Sequence, residues 1–117
     1  MAIETKEQAI QDSIRVALAQ EGYICFRANV GKVKTDDGRF FDSGLPGGFP
    51  DLFGYKPENG RIYFIEVKTP TGKRRQDQIR FANGLKNKNV IYGVSRSAEE
   101  AVKIVRNELK ILEDKRM

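Results

Sequence analysis

The feature that most constrains the fold of this 117-residue sequence is an Asn-Gly pair between two apolar segments. The segments are residues 51–55 and 61–68, both rich in β-branched or aromatic residues, and Asn59-Gly60 lies between them. Asn-Gly is a strong signal for a two-residue hairpin turn. The sequence therefore predicts an antiparallel hairpin with Asn59 and Gly60 at its tip.

A two-residue turn also predicts which residues face each other across the hairpin. Asp51 then lies opposite Lys68, and Phe53 lies opposite Glu66. Because side chains alternate between the two faces of a strand, Asp51, Glu66 and Lys68 share one face. Pro57 lacks a ladder donor and can shift this register, and a shift of one residue would separate the three side chains.

The remaining pattern predicts a single α/β domain over residues 1–117. The order α-β-β-β-α-β-α, with a strand–helix–strand unit after the hairpin, implies a mixed central sheet flanked by helices. Thr5 and Gly22 are start and stop signals for the first helix. The predicted elements outside the hairpin are helices over 5–21, 74–86 and 97–112, strands over 23–28 and 89–95, and a polar, glycine-rich stretch over 29–48.

The composition excludes several kinds of chemistry. The sequence has no histidine and a single cysteine, Cys25, which lies in an apolar stretch typical of a buried thiol. A Ser-His-Asp triad, a zinc–histidine site and a disulfide are therefore excluded. The chain has no signal peptide pattern and no apolar run long enough to cross a bilayer, so we expect a cytoplasmic protein, in the host cytoplasm if a phage encodes it.

Two carboxylates and a lysine on an otherwise apolar strand face predict a metal site. One explanation is an ion pair between Lys68 and Asp51 or Glu66. The other is that both carboxylates bind Mg²⁺ or Mn²⁺, with the main-chain carbonyl of Val67 completing the shell. Lys68 would then hold or deprotonate the attacking water. Phosphodiester hydrolysis by this route needs neither histidine nor cysteine.

Two further polar residues fall on helix lines that are otherwise apolar. Glu7 lies between Ile3 and Ile10 on the stripe of the first helix, and Gln78 lies on the inward side of the second. Glu7 can equally be a first-turn glutamate favoured by the helix dipole.

The positive charge is concentrated in one part of the chain. The net charge is +5, yet residues 68–88 contain seven basic residues and one acid. Such a stripe favours binding to a phosphate backbone, although a solvated surface explains the charge equally well. The stretch 29–48 is either a DNA-contacting loop or a surface excursion. The candidate DNA-binding residues are Lys32, Lys34, Arg39, Lys73, Arg74 and Arg75.

Several short motifs resemble the VRR-NUC family of the PD-(D/E)XK nuclease superfamily. They cover about residues 5–106, nearly the whole chain. The matching segments are Glu7, Arg27-Ala28-Asn29-Val30-Gly31, Gly47-Gly48-Phe49-Pro50-Asp51-Leu52, Glu66-Val67-Lys68-Thr69, Gln78 with Arg80-Phe81, and Gly93-Val94-Ser95-Arg96-Ser97.

The resemblance implies a restriction-endonuclease-like core and a set of roles. It implies Glu7, Asp51 and Glu66 near the metal, the carbonyl of Val67 as a further ligand, a catalytic Lys68, and Gln78 close to the water and the scissile phosphate. Gln8 is an alternative to Glu7 in the first-helix role.

Stand-alone, phage-type members of this family are similar to dimeric enzymes that cut branched DNA, such as Holliday junctions. We therefore expect a homodimeric DNA endonuclease. The side of the last helix formed by Ile104, Val105, Leu109 and Leu112 either serves the dimer or packs on the sheet.

Two other function classes compete with this hypothesis. One is a DNA-binding module without catalysis, which gains nothing from carboxylates that face phosphates. The other is a metal enzyme acting on nucleotides or small phosphates, but the sequence lacks a GxxxxGK[ST] phosphate loop.

Overall fold

A computed structural model describes residues 5–30 and 32–107, without the side chains of Lys32 and Val33. The elements follow one another in the order α1 (Lys6–Gln20), β1 (Ile24–Arg27), β2 (Lys32–Lys34), β3 (Phe40–Asp42), β4 (Leu52–Tyr55), β5 (Ile62–Val67), α2 (Gln76–Gly84), β6 (Ile91–Ser95) and α3 (Ala98–Val105).

The central sheet has the strand order β1-β4-β5-β6. The β1–β4 and β4–β5 pairs are antiparallel, whereas β5 and β6 are parallel. The connection from β5 to β6 passes through α2, as a parallel pair requires. The mixed sheet and the predicted α-β-β-β-α-β-α order of its elements are confirmed.

The stretch 29–48 contains a second, two-stranded sheet that the prediction missed. Strands β2 and β3 pair as an antiparallel hairpin, and Gly38, in the connection between them, has a φ of +86°. Their three-residue length gives too little alternation for a sequence-based assignment, and all three residues of β3 are exposed, so that strand has no buried face to mark it.

The helix boundaries follow from local capping. The Thr5 hydroxyl accepts a hydrogen bond from the Gln8 N–H at 3.0 Å, and Gly22 follows α1 with a φ of +83°. The Ser97 hydroxyl caps α3 in the same way by accepting from the Glu100 N–H at 3.1 Å. These caps satisfy main-chain groups that would otherwise lack partners at the helix ends.

Helices α1 and α3 form the hydrophobic core on one face of the sheet. The odd-numbered side chains of β5 are fully buried there, with residues of both helices around them. This core consists of Ile14, Leu18, Leu52, Tyr63, Ile65, Val67, Ile91, Ala101, Ile104 and Val105. The even-numbered side chains of β5 therefore face the opposite side of the sheet, where α2 lies.

The predicted hairpin register is wrong by two residues. The structure pairs Phe53 with Phe64 and Tyr55 with Ile62, rather than Phe53 with Glu66. The Lys56 N–H donates to the Arg61 carbonyl at 3.0 Å, so the loop between them holds four residues. Pro57, in this loop, has no N–H to donate. A register shift of two residues keeps every side chain on the same face of the sheet. Asp51, Glu66 and Lys68 therefore still share one face.

The last helix serves the core rather than a free interface. Ile104 and Val105 are 4% and 0% exposed, so these two residues are not available for the dimer contact considered above. Leu109 and Leu112, the other two residues of that side, lie outside the described residues.

No helix within residues 5–30 and 32–107 is long and apolar enough to cross a membrane. The cytoplasmic location and the assignment of the whole chain to one domain stay predictions.

Gly48 provides a test of how the segment before β4 packs on α2. A Cβ atom at Gly48 would collide with the main-chain carbonyl of Asp77. We expect Gly48→Ala to lower the free energy of unfolding by about 1–3 kcal/mol, measured by urea denaturation. Gly84→Ala is the matched control, because a Cβ there meets no atom within 4 Å, and alanine should stabilise that helical position by up to about 1 kcal/mol. Equal effects of the two substitutions would contradict the close packing.

Candidate active site

Asp51 lies immediately before β4, beside the end of β5. Its carboxylate Oδ2 accepts a hydrogen bond from the Val67 N–H at 2.8 Å. If the β4–β5 register continues past Leu52 and Ile65, Pro50 lies opposite Val67. Proline has no N–H, so in this register the carbonyl of Val67 receives no donor from residue 50, while the Val67 N–H is accepted by the Asp51 side chain. The main chain here is thus arranged to leave an oxygen available.

A polar cleft opens in front of Asp51. Its volume is about 180 Å³. The residues that line it come from the start of α1, the end of β1 and the start of β4: Thr5, Glu7, Gln8, Gln11, Arg27 and Asp51. Side-chain oxygens predominate in this lining, which suits a hard cation or a hydrated phosphate better than an apolar ligand.

The electrostatic surroundings of Asp51 disfavour its ionised form. Burial is the largest cause of a raised Asp51 pKa, and the carboxylates of Glu7 and Glu66 raise the pKa further. The Val67 N–H and the charge of Lys68 oppose this shift. A carboxylate held beside other carboxylates is costly for folding and is a common feature of functional sites.

Glu66 is fully buried on the α2 side of the sheet. Its Oε2 accepts from Arg74 Nε at 3.1 Å, and its Oε1 accepts from the Tyr92 hydroxyl at 2.9 Å. Arg74 Nη2 also donates to the Tyr92 hydroxyl at 2.9 Å. The three side chains therefore form a closed ring of hydrogen bonds around the carboxylate.

Lys68 is 7% exposed and lies on the same face as Glu66. Its main-chain N–H bonds the Ser95 carbonyl of β6 at 3.0 Å, which fixes the end of the strand. Among residues 5–30 and 32–107, no carboxylate lies within 4.0 Å of the ammonium group. The simple ion pair between Lys68 and Asp51 or Glu66, the first explanation given above, is not formed.

Gln78 is 4% exposed, so its predicted inward position is confirmed. Its side-chain Oε1 accepts from the Arg75 N–H at 2.8 Å and holds the start of α2. The two glycines before Phe49 lie close to the start of α2. The Gly47 carbonyl accepts a hydrogen bond from Arg75 Nη2 there at 3.0 Å.

Glu7 and Gln8, the two alternatives on the first helix, both line the cleft. Glu7 is exposed, not buried as an inward stripe suggested, because it lies in the first turn beyond the part of α1 that the sheet covers. Its charge still acts on Asp51. The Gln8 amide is engaged within the helix, donating to Gln11 at 3.4 Å and to Asp12 at 3.2 Å.

The candidate DNA-binding residues fall into two places. Lys73, Arg74 and Arg75 precede α2, near the site, and Arg75 pairs with Asp77 at 3.2 Å. Lys34 and Arg39 are exposed on the β2–β3 hairpin, where Arg39 pairs with Asp37 at 2.6 Å. Lys32 belongs to β2, and its side chain is not among those that the structure describes.

The donor chemistry of Asp51, Glu66 and the Val67 carbonyl fits a hard divalent cation, since Mg²⁺ binds through one or two carboxylates with waters and substrate oxygens. Within the described part of the chain, no group of three or more His, Cys, Asp or Glu side chains is gathered tightly enough to hold a metal. Glu66 is directed to Arg74 instead. The metal ligands stay a prediction.

Comparisons with known proteins bear on this arrangement. The profile of the VRR-NUC domain family matches residues 5–99. A solved structure described as a VRR_NUC domain superposes with a TM-score of 0.62 at 23% identity, covering 87% of this chain and 96% of that chain. The comparison with curated proteins finds no match.

The mixed sheet flanked by helices has the fold of that solved structure, and two carboxylates and a lysine lie at the ends of its paired strands. Because the family profile matches residues 5–99 of this chain, the chain belongs to the VRR-NUC family. The family resemblance inferred from the motifs is thereby confirmed. The similar solved structure supports the fold.

Sequence reasoning missed two residues that shape the site. Tyr92 holds Glu66 but lies in an apolar strand whose pattern indicates only burial. Gln11 is 8% exposed and lines the cleft from the inner side of α1. The signal for Gln11 was available, since it is a polar residue three positions before Ile14 and seven before Leu18, on the inward stripe of α1.

The raised Asp51 pKa predicts a pH-dependent stability difference. The folded protein holds the Asp51 proton more tightly than the unfolded chain, so ionisation above the ordinary value of 3.8 destabilises the fold. Asp51→Asn removes this cost. In EDTA, the free energy of unfolding of Asp51→Asn relative to the wild type should therefore increase as the pH rises from about 4 to about 7. Asn at exposed Asp36 is the matched control, and a pH-independent difference at residue 51 would contradict the prediction.

Proposed function

We propose that this chain is a Mg²⁺- or Mn²⁺-dependent DNA endonuclease that hydrolyses phosphodiester bonds, with branched DNA as its substrate. The observation that carries the proposal is the placement of Asp51 directly before β4 and of Glu66 and Lys68 on one face at the end of β5, with Asp51 bonded to the Val67 N–H. Asp51 also lines the polar cleft, and Arg74 of the basic segment before α2 bonds Glu66. Membership of a nuclease family supports the reaction class.

The ligands proposed for the metal are the carboxylates of Asp51 and Glu66, the carbonyl of Val67, and Glu7 across the cleft. When bound, a divalent cation lowers the pKa of a water molecule and neutralises charge on the phosphate. The Pro50-Asp51 step contributes by leaving the Val67 carbonyl without a ladder donor while fixing Asp51 on the Val67 N–H.

Lys68 is proposed as the residue that handles the attacking water. Lys68 as a whole is 7% exposed, so most of its side chain lies in a region of lower dielectric than water. There it can hold the water and stabilise the negative charge that develops on the phosphate. Gln78 accepts from the Arg75 N–H through Oε1, which leaves its amide N–H groups to orient the water or a phosphate oxygen.

The basic side chains would then bind backbone phosphates of the DNA on either side of the scissile bond. Exposed Lys73 and Arg75 lie next to the site, and exposed Lys34 and Arg39 extend from the β2–β3 hairpin, with Lys32 in the same strand as Lys34. Contacts of this kind provide affinity and position without reading sequence.

Branched substrate and homodimerisation are proposed together. A two-fold dimer presents two equivalent sites to two strands of a junction, as in the stand-alone, phage-type members that the sequence resembles. The described surface has apolar side chains suited to an interface, since Phe26, Phe40 and Phe41 are 48%, 65% and 48% exposed.

One observation favours the alternative, a DNA-binding module without catalysis. Glu66 is already neutralised by Arg74, so this carboxylate need not repel a phosphate. Such a module would bind branched DNA in EDTA as well as in Mg²⁺ and cut none of it.

Cleavage of a four-way junction, a flap and a linear duplex tests the proposal. We expect metal-dependent cutting that favours the junction, with paired nicks in two strands, and no cutting in EDTA. Asp51→Asn and Lys68→Met should each lower the cleavage rate by about 100-fold or more while DNA binding in EDTA is kept, because they remove groups that act on the reaction itself.

Lys103→Met is the charge-matched control for Lys68, because Lys103 is exposed on α3 and pairs only weakly with Glu99 at 3.9 Å. Its rate should equal that of the wild type. Tight junction binding without cutting in any metal would favour the binding module, and equal cutting of all three substrates would reject the preference for branches.

A second experiment distinguishes Glu7 from Gln8. The charge of Glu7 acts on Asp51, whereas the Gln8 amide is engaged within α1. We expect Glu7→Gln to weaken Mn²⁺ binding by about tenfold, measured by calorimetry, because a ligand or an attractive charge is lost. Gln8→Ala should leave the affinity nearly unchanged. The reverse order would assign the role to Gln8.

A further inference from the structure

The ring of hydrogen bonds around Glu66 is not explained by the proposed cleavage chemistry. A fully buried carboxylate needs compensation, and Glu66 receives it from two side chains, one on each oxygen. Tyr92 comes from β6, next to β5 in the parallel pair, where it lies beside Phe64. Arg74 comes from the segment before α2.

The two partners of Glu66 differ in how easily they can leave. Tyr92 is part of the central sheet, and burial followed by the Glu66 charge raises the pKa of its hydroxyl, so that it remains a donor. The Arg74 side chain keeps 30% of its surface exposed, although Glu66 itself has none. Arg74 is also on a segment without regular secondary structure, between β5 and α2. Arg74, on an irregular and partly exposed segment, can therefore leave Glu66 more easily than Tyr92, whose main chain is fixed in β6.

A guanidinium and a divalent cation are alternative partners for one carboxylate. Both carry positive charge, and in a buried site their mutual repulsion is large when both are held on the same group. Arg74 Nε approaches Oε2 at 3.1 Å, which is within hydrogen-bond range but longer than the shortest charge-assisted contacts. A cation that binds Glu66 must share or replace this contact.

We propose that Arg74 is an exchangeable counter-ion of Glu66, which a divalent cation displaces, while Tyr92 is a positioning residue that keeps the carboxylate aimed. The displaced guanidinium then joins Lys73 and Arg75 at the surface, where it can bind a DNA phosphate through two N–H groups. Metal binding and DNA binding are thereby coupled through one side chain, and by linkage each strengthens the other. This inference rests on the proposed metal dependence.

The test is the Mn²⁺ affinity of three variants, measured without DNA by calorimetry at about pH 8, above the ordinary range for carboxylates. Arg74→Gln removes the competing charge and should tighten Mn²⁺ binding by about tenfold or more. Tyr92→Phe removes the group that aims Glu66 and should weaken binding by about tenfold. Arg74→Lys keeps the charge and should stay close to the wild type. A purely structural role of the ring predicts weaker binding in all three variants.

Arg80→Gln is the control for loss of one positive charge on α2, because Arg80 is exposed and makes no described contact with Glu66. Its Mn²⁺ affinity should not change. Circular dichroism and thermal unfolding of each variant identify any that fails to fold, and the wild-type measurement below does not depend on them.

In the wild-type protein, the ¹H–¹⁵N resonance of the Arg74 Nε–H reports the contact directly. Titration with diamagnetic Mg²⁺ should shift this signal and speed its exchange with water, as the hydrogen bond to Glu66 is lost. Shifts at Asp51 and Val67 without any change at Arg74 would overturn the inference and leave the metal site intact. No Mg²⁺-dependent shift anywhere near Asp51 would instead reject the proposed metal dependence.

Discussion

The antiparallel pairing of β4 with β5 determines where the chemistry of this domain can lie. It brings Asp51 to the end of β5, where the Asp51 carboxylate accepts the Val67 N–H at 2.8 Å. A hydrogen bond of this charge-assisted kind contributes about 1.5–3 kcal/mol when it is shielded from water. It fixes one oxygen of the carboxylate beside the end of β5. Pro50, the preceding residue, has no N–H to donate to the neighbouring strand.

The two faces of β5 separate stability from chemistry. The odd-numbered side chains, Tyr63, Ile65 and Val67, are fully buried against α1 and α3 and supply the core. The even-numbered side chains carry Glu66 and continue to Lys68 on the other face, and both residues are buried there. The same face carries a cluster of aromatic rings. Phe49 packs edge-on against Phe53, Phe64 and Phe81, with ring centroids 5.2–5.8 Å apart. Charges at the site can therefore act in an apolar setting without interrupting the main core.

How much of this could be predicted depends on the range of the interaction. The capping signals at Thr5 and Gly22 are local, and the structure places both as predicted. The grouping of Asp51 with Glu66 also came from the sequence, although the assumed turn was too short, because an even shift returns each side chain to its face. The β2–β3 hairpin was missed because strands of three residues without a buried face have no distinctive pattern. The partners of Glu66 were missed for another reason: Arg74 and Tyr92 are 8 and 26 residues away, and only the parallel pairing of β5 with β6 brings Tyr92 near.

The charges around the site are balanced in a way that favours exchange over permanent pairing. Burial and the charges of Glu7 and Glu66 disfavour the ionised form of Asp51. Among the described residues, no carboxylate lies within 4.0 Å of the Lys68 ammonium group. A domain selected for stability alone would pair these groups or replace them with apolar residues, because buried unpaired charge is costly. Carboxylates that repel one another gain most from a divalent cation, and a lysine without a partner gains most from a phosphate. The same imbalance that weakens the isolated fold is what a metal and a DNA strand would relieve.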